Sequence, residues 1–475
     1  MWRAGFGPAI EQLEQLKSIS PNTLYKALQK ASSTKPAYID VADNYLKDLH
    51  MGAEAAGRQQ RRREFEEEDR KLVRQKQRDS IRSLNLTWLE QMVSSDAQLR
   101  EKLAFFWHGH FATRSQNIFF QQQLLDIIRR HALGSFRTLL HEVSQSAAML
   151  NFLNAAQNKK GHPNENFARE VMELFTMGRG QYNEQDIKEA ARAFTGWSAN
   201  AKGEFVFRRF QHDYGSKTIL GKTGNFTGED VLDLLLDQQQ TAHYITQKVY
   251  RFFVNETVDK EKTDWLAKRF YQSGYNIGQL MEDIFTADWF YDTKHIGTRI
   301  KSPIELVVGM QRMLPMTVEN GEALLLVQRL LGQLLFYPPN VAGWPGGKSW
   351  IDSSSLMYRL RLPQLLNDTD ELNVRPKTDD DMTGGREENI TTAKPNTSGK
   401  AGKLIQADIF WKGYTKQFDS TPREGLLAAV EMALLQVAPR YGTATILNFA
   451  DSSAREAFIK STTIQIMSTP EYQMC

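Results

Sequence analysis

The chain has 475 residues, of which 41% are hydrophobic and 24% are charged, so it is long enough to bury a sizeable core. Its 59 basic and 56 acidic residues give a net charge of +3, which excludes a general attraction to nucleic acid or to an anionic membrane. Cys475 is the single cysteine. It excludes an intrachain disulfide and a cysteine-based zinc site, so any metal site has to use His, Asp or Glu.

The N-terminus, MWRAGFGPAIEQLEQL, lacks the basic start and the apolar stretch of a signal peptide. No run of about 18 apolar residues follows, so the sequence predicts no transmembrane segment. As written, the chain is expected to be cytoplasmic.

Helical periodicity dominates the chain. Apolar residues recur at helical spacing through 81–92, 99–107 and 231–252. Strand-like alternation is rare, and GEFVFRRF at 203–210 is the best candidate for a hairpin. The sequence therefore predicts a mainly α fold, a large helical-bundle-like single domain with a small β-hairpin element near 203–222.

Two stretches stand apart in composition. The charge run at 58–82 is typical of a solvated helix with ion pairs four residues apart. Residues 367–403 hold almost no large apolar side chains, which predicts a flexible insertion that cannot offset its ordering entropy by burial. The predicted organisation is a main helical domain at 1–366, this insertion, and a C-terminal helical segment at 404–475 that packs on the main domain.

The first candidate motif is FWHGHFAT, with His108 and His110. On an unbroken helix the two imidazoles would point about 200° apart and could not share a metal ion. If Gly109 ends the helix, they can converge, and His-x-His is a metal-binding spacing in extended backbone. The alternative is a pair of packed histidines with backbone partners.

The second motif, RRHALGSF, closes a helix with Arg129, Arg130 and His131, and Gly134 fits a left-handed cap after it. Cations at a helix C-terminus complement the helix dipole. An anion-binding site is the functional alternative for this cluster.

The third motif is NENFAREVMELF. Asn164 is a suitable N-cap, and Arg169 lies four residues from both Glu165 and Glu173, so it can bridge them. A Glu-x-x-Glu pair, Glu170 and Glu173, can instead supply carboxylates to a metal ion in a helical bundle. Both an ion-pair scaffold and a metal or acid–base site remain open.

The fourth motif follows a helix that Asn183 is predicted to cap. There, QHDYGSK places His212, Asp213 and Lys217 in a turn-rich segment, and reactive side chains often lie on such loops. A fifth stretch, FYPPNVAGWPGGKSW, is a stiff aromatic loop with Trp344 and Trp350. It can bind a glycan or protein partner, or close a domain as a rigid plug.

Taken together, these strings resemble the bacterial domain-of-unknown-function 1800 family. The resemblance is carried, in order along nearly the whole chain, by WRAGFGP, LREKLAFFWHGHFAT, RRHALGSFRTLL, NENFAREVMELFTMG, QDIKEAARAFTGW, HDYGSKTILG, IKSPIELVVG and PPNVAGWPGGKSWIDSS. It implies a large, mainly helical bacterial protein and brings no established activity, substrate or cofactor.

One departure from the family pattern concerns the start of the chain. The family usually has a few residues before WRAGFGP, whereas here Met1 directly precedes it. Relatives often carry secretion signals, so a misassigned start would place the protein in the periplasm or cell envelope.

The leading hypothesis is a metal-dependent enzyme, a hydrolase or an oxidoreductase. His108, His110, Glu170 and Glu173 are the candidate ligands, and thiolate-free ligands of this kind suit Zn, Mn or Fe. The candidate catalytic residues are Glu170, Glu173, His212 and Asp213, and the segments 105–113, 164–175 and 211–217 are expected to meet in one polar pocket. The alternative is a non-catalytic cell-envelope or scaffold protein with a buried ion-pair core and an aromatic loop for a partner or glycan.

Overall fold

The computed structural model describes residues 1–52, 67–367 and 407–475. The predicted insertion at 367–403 lies outside these residues except for Asn367, and so does the first part of the charge run. The rest of that run belongs to a long helix, Glu67–Ser94.

The fold is mainly α, as the sequence predicts, with small two-stranded antiparallel sheets. In chain order the helices are α1 (Leu13–Ser18), α2 (Pro21–Ser32), α3 (Asn44–Gly52), α4 (Glu67–Ser94), α5 (Gln98–His110), α6 (Ile118–His131), α7 (Phe136–Gln145), α8 (Ala147–Phe152), α9 (Asn166–Glu170), α10 (Glu184–Ala193), α11 (Gly228–Leu236), α12 (Gln239–Phe253), α13 (Lys260–Gln272), α14 (Ile277–Phe285), α15 (Pro303–Met313), α16 (Gly321–Leu330), α17 (Ser353–Leu366), α18 (Trp411–Lys416), α19 (Leu426–Leu434), α20 (Thr443–Leu447) and α21 (Arg455–Met467). The strands are β1 (Trp197–Ala199), β2 (Phe205–Phe207), β3 (Lys217–Ile219), β4 (Lys222–Gly224), β5 (Met316–Val318) and β6 (Ala407–Ile409).

The chain divides into two compact units, each made of discontinuous segments. The first comprises residues 1–18, 293–335 and 345–475, and the second comprises 19–292 and 336–344. The predicted domain boundaries at 366 and 403 fall at the edge of, or inside, the residues that are not described, so that division stays a prediction.

In the first unit, residues far apart in the chain form one core. Strand β6 pairs with β5 in antiparallel register, with Met316 opposite Ile409. Helix α15 starts with a capping box, in which Ser302 and Glu305 each bond to the backbone of the other, and with proline at its first position. These features fix where the helix begins.

In the second unit, the helices surround fully buried aromatic side chains that include Trp88, Trp107 and Trp197. The predicted β element near 203–222 is present, but the stretch 203–210 is not a hairpin by itself, because it supplies only β2, which pairs with β1 before it. A second hairpin, of β3 and β4, follows. The prediction that Asn183 caps a helix is confirmed, since its side chain accepts a hydrogen bond from the Asp186 amide at 2.9 Å. This cap sets the start of α10, which carries part of the candidate site.

Among the described residues, none of the helices combines the length and the apolar character that crossing a membrane requires.

Candidate functional site

Helix α5 carries the two predicted histidine ligands, and it runs without interruption through Gly109 to His110. Of the two alternatives, the unbroken helix is the one that forms, because nearly every α5 side chain is buried and packing outweighs the low helix propensity of glycine. The two imidazoles therefore project about 200° apart around the helix and face different neighbours.

His108 lies in an aromatic enclosure. Its ring is 2% exposed and lies 5.2 Å from the ring of Trp88 and 5.5 Å from that of Trp344, measured between centroids. Its Nε2 atom accepts a hydrogen bond from the backbone N–H of Phe336 at 3.3 Å. Burial lowers the pKa of His108 to about 3, so the ring stays neutral and serves as an acceptor.

The segment 336–344, the first part of the predicted aromatic loop, supplies that enclosure. Gly343 has φ +84°, and a Cβ atom there would lie 2.4 Å from the carbonyl oxygen of Gly109. Only glycine permits this backbone conformation and this close approach without strain. Trp350, the second tryptophan of the predicted partner loop, belongs to the other unit and is 7% exposed, so its ring offers little surface to a ligand.

His110 joins two other helical segments. Its Nε2 atom contacts the carbonyl oxygen of Phe175 at 3.2 Å, and its Nδ1 atom contacts the ammonium of Lys248 at 3.0 Å. Since an ammonium only donates, Nδ1 accepts and Nε2 carries the proton that is donated to Phe175. Burial, with a further effect of Lys248, holds the pKa of His110 well below its ordinary value, and burial lowers the pKa of Lys248 to about 8.

A π-helical segment, Val171–Thr176, continues directly from α9 and changes the predicted spacing of the acids. Arg169 bonds to Glu165 at 3.2 Å, as predicted, but its second partner is Glu184 at 2.7 Å. The predicted bridge from Arg169 to Glu173 is not the one that forms. A π turn adds a residue to each turn, so Glu173 no longer lies one α-helical turn from Arg169.

The start of this helix agrees with the sequence. The Asn164 side chain accepts a hydrogen bond from the Asn166 amide at 3.0 Å, which is the bond of an N-cap residue. Helix α9 begins at Asn166, and Glu165, which directly precedes it, makes no side-chain capping bond.

Glu173 and Glu170 have different environments. The Tyr182 hydroxyl donates to Glu173 at 2.7 Å, and the Arg179 guanidinium also donates to it. Burial acts to raise the pKa of Glu173, but these hydrogen bonds outweigh it and hold the pKa below its ordinary value. Glu170 is half-buried and has no hydrogen-bond or ion-pair partner in the described chain, and burial together with the nearby Glu173 raises its pKa.

His212 and Asp213 are held by the end of α10. The Nδ1 atom of His212 lies 2.9 Å from the carbonyl oxygen of Thr195, to which it donates, and burial lowers the pKa of His212. Its buried Nε2 atom has no partner within the described residues. Hydrogen bonding from Arg192, at 2.8 Å, lowers the pKa of Asp213 to about 2.

Lys217, the lysine of the fourth motif, also stabilises the turn that follows His212 and Asp213. The ammonium of Lys217 is buried and donates to the backbone carbonyl of Asp213 at 2.6 Å. The segment 211–217 is thus tied to α10 and to itself by its own polar groups.

The structure therefore brings His110 to the π-helical segment, joins His212 and Asp213 through Thr195, and leaves His108 and Glu173 with separate partners. No hydrogen-bond partner named for His108, His110 or Glu173 is shared with another of the predicted site residues. Across residues 1–52, 67–367 and 407–475, no group of three or more His, Cys, Asp and Glu side chains is placed to hold a metal ion. The metal and catalytic roles of these residues stay a prediction.

A buried ion-pair core was one alternative from the sequence, but Glu101 and its partners were not predicted to form one. Glu101 is 0% exposed and accepts hydrogen bonds from Trp88 Nε1 at 3.0 Å, Arg100 Nε at 3.1 Å and Arg129 Nη2 at 2.9 Å. The sequence signal for this network was the charged triplet Arg-Glu-Lys inside the otherwise apolar stretch of α5. Charged side chains in such a stretch need buried partners.

The other residue that sequence reasoning missed is Lys248. It lies in the apolar stretch of α12, and that position was the signal available for a charge with an internal partner.

Gly134 follows α6 but does not adopt a left-handed conformation, so the predicted left-handed cap is wrong. Instead, its amide donates to the carbonyl oxygen of His131 at 3.0 Å, a tight turn that satisfies one of the free carbonyls at the helix end. The predicted cluster of cations, Arg129, Arg130 and His131, does occupy the last turn of α6.

These features define a mainly helical protein whose sequence motifs join segments that lie far apart in the chain. A family model described as "Protein of unknown function (DUF1800)" matches residues 1–474, so the chain belongs to this family. No curated protein and no solved structure matches the chain.

Proposed function

We propose that the protein is a non-catalytic scaffold or binding protein, and that its histidine and carboxylate motifs hold helices together. The observation that carries the proposal is the occupancy of His110, whose two ring nitrogens bond to Phe175 and Lys248. A histidine in that arrangement has no lone pair left for a metal ion and no proton to exchange without breaking a buried hydrogen bond.

The remaining motifs support the same reading. His108 bonds to the backbone of a segment 228 residues away in the chain, and Asp213 bonds to Arg192 on α10. Each of these contacts fixes one segment against another. They account for polar residues inside apolar stretches without a chemical reaction.

Glu173→Gln is the variant that separates a structural role from a ligand role. Gln keeps the shape but weakens the hydrogen bonds that Tyr182 and Arg179 donate, so we expect a loss of stability of about 1 kcal/mol and no change in metal content. Glu165→Gln, which alters a more exposed carboxylate that pairs with Arg169, is the matched control and is expected to cost less.

The measurements are urea unfolding and metal analysis of protein from metal-replete medium. Wild-type protein that holds one Zn, Mn or Fe per chain, together with a Glu173→Gln variant that loses the metal at unchanged stability, would overturn the proposal.

The second candidate is a metal-dependent hydrolase or oxidoreductase, and Glu170 is the observation that favours it. A half-buried carboxylate with a raised pKa and no partner in the described residues has the properties of a general acid or base. Calorimetric titration of wild type and Glu170→Gln with Zn, Mn and Fe(II) tests it. Saturable metal binding by the wild type that is lost in Glu170→Gln would support the enzyme hypothesis. Absence of metal binding by the wild type would refute it.

Trp344 is the position at which we place a glycan or protein contact of the scaffold. Its ring is partly exposed, and packing against His108 holds it in one orientation. A rigid, partly exposed aromatic side chain suits a contact by stacking. Trp344→Ala is expected to weaken binding to a glycan array without unfolding the protein, and unchanged binding would exclude this position.

A further inference from the structure

A cationic cleft lies where the C-terminal ends of α2 and α6 meet the start of α5. Its volume is about 300 Å³, and it is open to solvent. The lining includes the side chains of Thr34, Lys35, Arg100, Arg129, Arg130 and His131. No acidic residue is among those that line it.

The buried carboxylate beneath the cleft does not neutralise the arginines. Arg100 and Arg129 both bond to Glu101, so two positive charges share one negative charge. Arg100 also donates from Nη1 to the carbonyl oxygen of Thr34 at 2.7 Å, and Arg129 donates from Nη1 to that of Ala37 at 2.8 Å. These bonds hold both guanidiniums in place before any ligand arrives.

One donor of this pair remains available. The bonds of Arg100 involve Nε and Nη1, and in the described part of the chain its Nη2 group has no partner. Arg129, by contrast, uses all three of its nitrogens. Arg100 therefore presents a fixed, unused N–H donor at the cleft.

The charges at the rim cancel and leave this excess of one positive charge unchanged. Arg130 is paired with both Asp126 and Glu142, so these three side chains together carry about one negative charge. Lys35 is exposed and has no ion-pair or hydrogen-bond partner among the residues that the structure describes. The side chains at the cleft thus carry about one more positive charge than the acids bonded to them, with Lys35 free to meet a ligand.

The partial charges at the helix ends do not reverse the positive charge of the cleft. The C-terminal ends of α2 and α6 bring partial negative charge, and the N-terminal end of α5 brings partial positive charge. Arg100 lies in the first turn of α5, where the dipole disfavours a cation, and it is kept there by Glu101 and by Thr34. The dipole of α6 explains Arg129 but does not explain Arg100.

We propose that this cleft binds a phosphate group, either inorganic phosphate or the phosphate of a small phosphorylated molecule. The fixed, unused donor of Arg100 and an exposed lysine at the rim suit a tetrahedral dianion. The volume is near the lower end of ligand pockets, which matches a small molecule rather than a polymer. The site is independent of the function proposed above.

Calorimetric titration of the full chain at low ionic strength tests the proposal. We expect inorganic phosphate to bind with a Kd of about 1 mM or tighter. Lys35→Gln should weaken that affinity about fivefold, since it removes one solvent-exposed charge at the ligand. Arg100→Lys keeps the charge but loses the fork of donors, and it should weaken binding about tenfold.

Lys30→Gln is the matched control, because Lys30 is also exposed and lies in the last turn of α2 but does not line the cleft. It should leave the affinity unchanged. Equal weakening by Lys30→Gln and Lys35→Gln would overturn the site, as would absence of phosphate binding to the wild type. Lys35→Gln is exposed and should fold normally, so the test does not depend on the buried arginine.

Two further ligands identify the source of the anion. Tighter binding of glycerol phosphate than of inorganic phosphate would support a phosphorylated small molecule as the ligand. Tighter binding of inorganic phosphate would support the free ion. Acetate that binds as tightly as phosphate would overturn the assignment to phosphate.

Discussion

Replacing Glu101 with Gln removes one negative charge from the buried network while nearly preserving the size of the side chain. The carboxylate accepts hydrogen bonds from Trp88, Arg100 and Arg129, and it is fully buried. The Gln amide has one acceptor oxygen in place of two, and its NH₂ group would face donors. Two guanidiniums would then have no buried counter-charge, and removal of one partner of a buried pair costs about 3–5 kcal/mol.

Urea unfolding followed by far-ultraviolet circular dichroism measures this loss. Glu165→Gln is the control, because it makes the same chemical change in a partly exposed pair. We expect the control to lose less than about 1 kcal/mol. The slope of free energy against urea should stay the same in both variants, so that the difference reports stability and not a change in the unfolded state.

A double variant sharpens the test. Arg129→Gln in the Glu101→Gln background removes one of the two uncompensated cations. The pair should therefore be less destabilised than the sum of the single variants, by about 1–3 kcal/mol. The ion-pair argument would be refuted if Glu101→Gln lost no more free energy of unfolding than Glu165→Gln. It would also be refuted if the losses of the two single variants simply added in the double variant.

Three further predictions concern the second unit. The pKa of Asp213 is lowered to about 2, so its ion pair stabilises the protein above the unfolded pKa, and this stabilisation is lost as the pH falls towards 2. In urea titrations, the stability difference between wild type and Asp213→Asn should be roughly 1 kcal/mol after solvent screening. This difference should vanish between pH 4 and 2. The pKa of Lys248 is lowered to about 8, so the unfolded chain binds more protons between that pH and about 10.5. Wild-type stability should therefore rise across this range relative to Lys248→Met, and a flat difference would contradict the burial of the ammonium. Gly343→Ala should lower the stability measured by thermal unfolding by at least about 2 kcal/mol. Gly221→Ala is the control, because Gly221 also has positive φ but a Cβ atom there would contact nothing, and it should cost about 1 kcal/mol. Equal losses would contradict the close approach of Gly343 to the carbonyl oxygen of Gly109.

The sequence predicts those features that depend on local periodicity. Its helical stripes predict a mainly α fold, and Asn183 marks the start of α10 because a cap acts within one turn. Packed histidines with backbone partners were also among the alternatives for His108 and His110, and both form bonds to backbone or side-chain groups inside the second unit.

Features that depend on distant parts of the chain could not be predicted in this way. The partner of His108 is a backbone amide 228 residues away, and no periodicity links the two. Glycine is common at helix ends, yet the burial of α5 on all sides keeps the helix intact at Gly109. Arg169 finds its second partner, Glu184, at the start of α10, and helical spacing within NENFAREVMELF does not reach that residue.

The discontinuous construction of the second unit has a consequence for synthesis on the ribosome. Residues 19–292 emerge first, and the nine-residue segment 336–344 that covers His108 follows about 50 residues later. At about 5–20 residues per second, the uncovered face of α5 would wait roughly 3–10 s for its backbone partner. A nascent chain stalled before residue 336 should therefore expose Trp88 and His108 to chaperones, and a shortened protein that ends at 292 would retain that apolar face permanently.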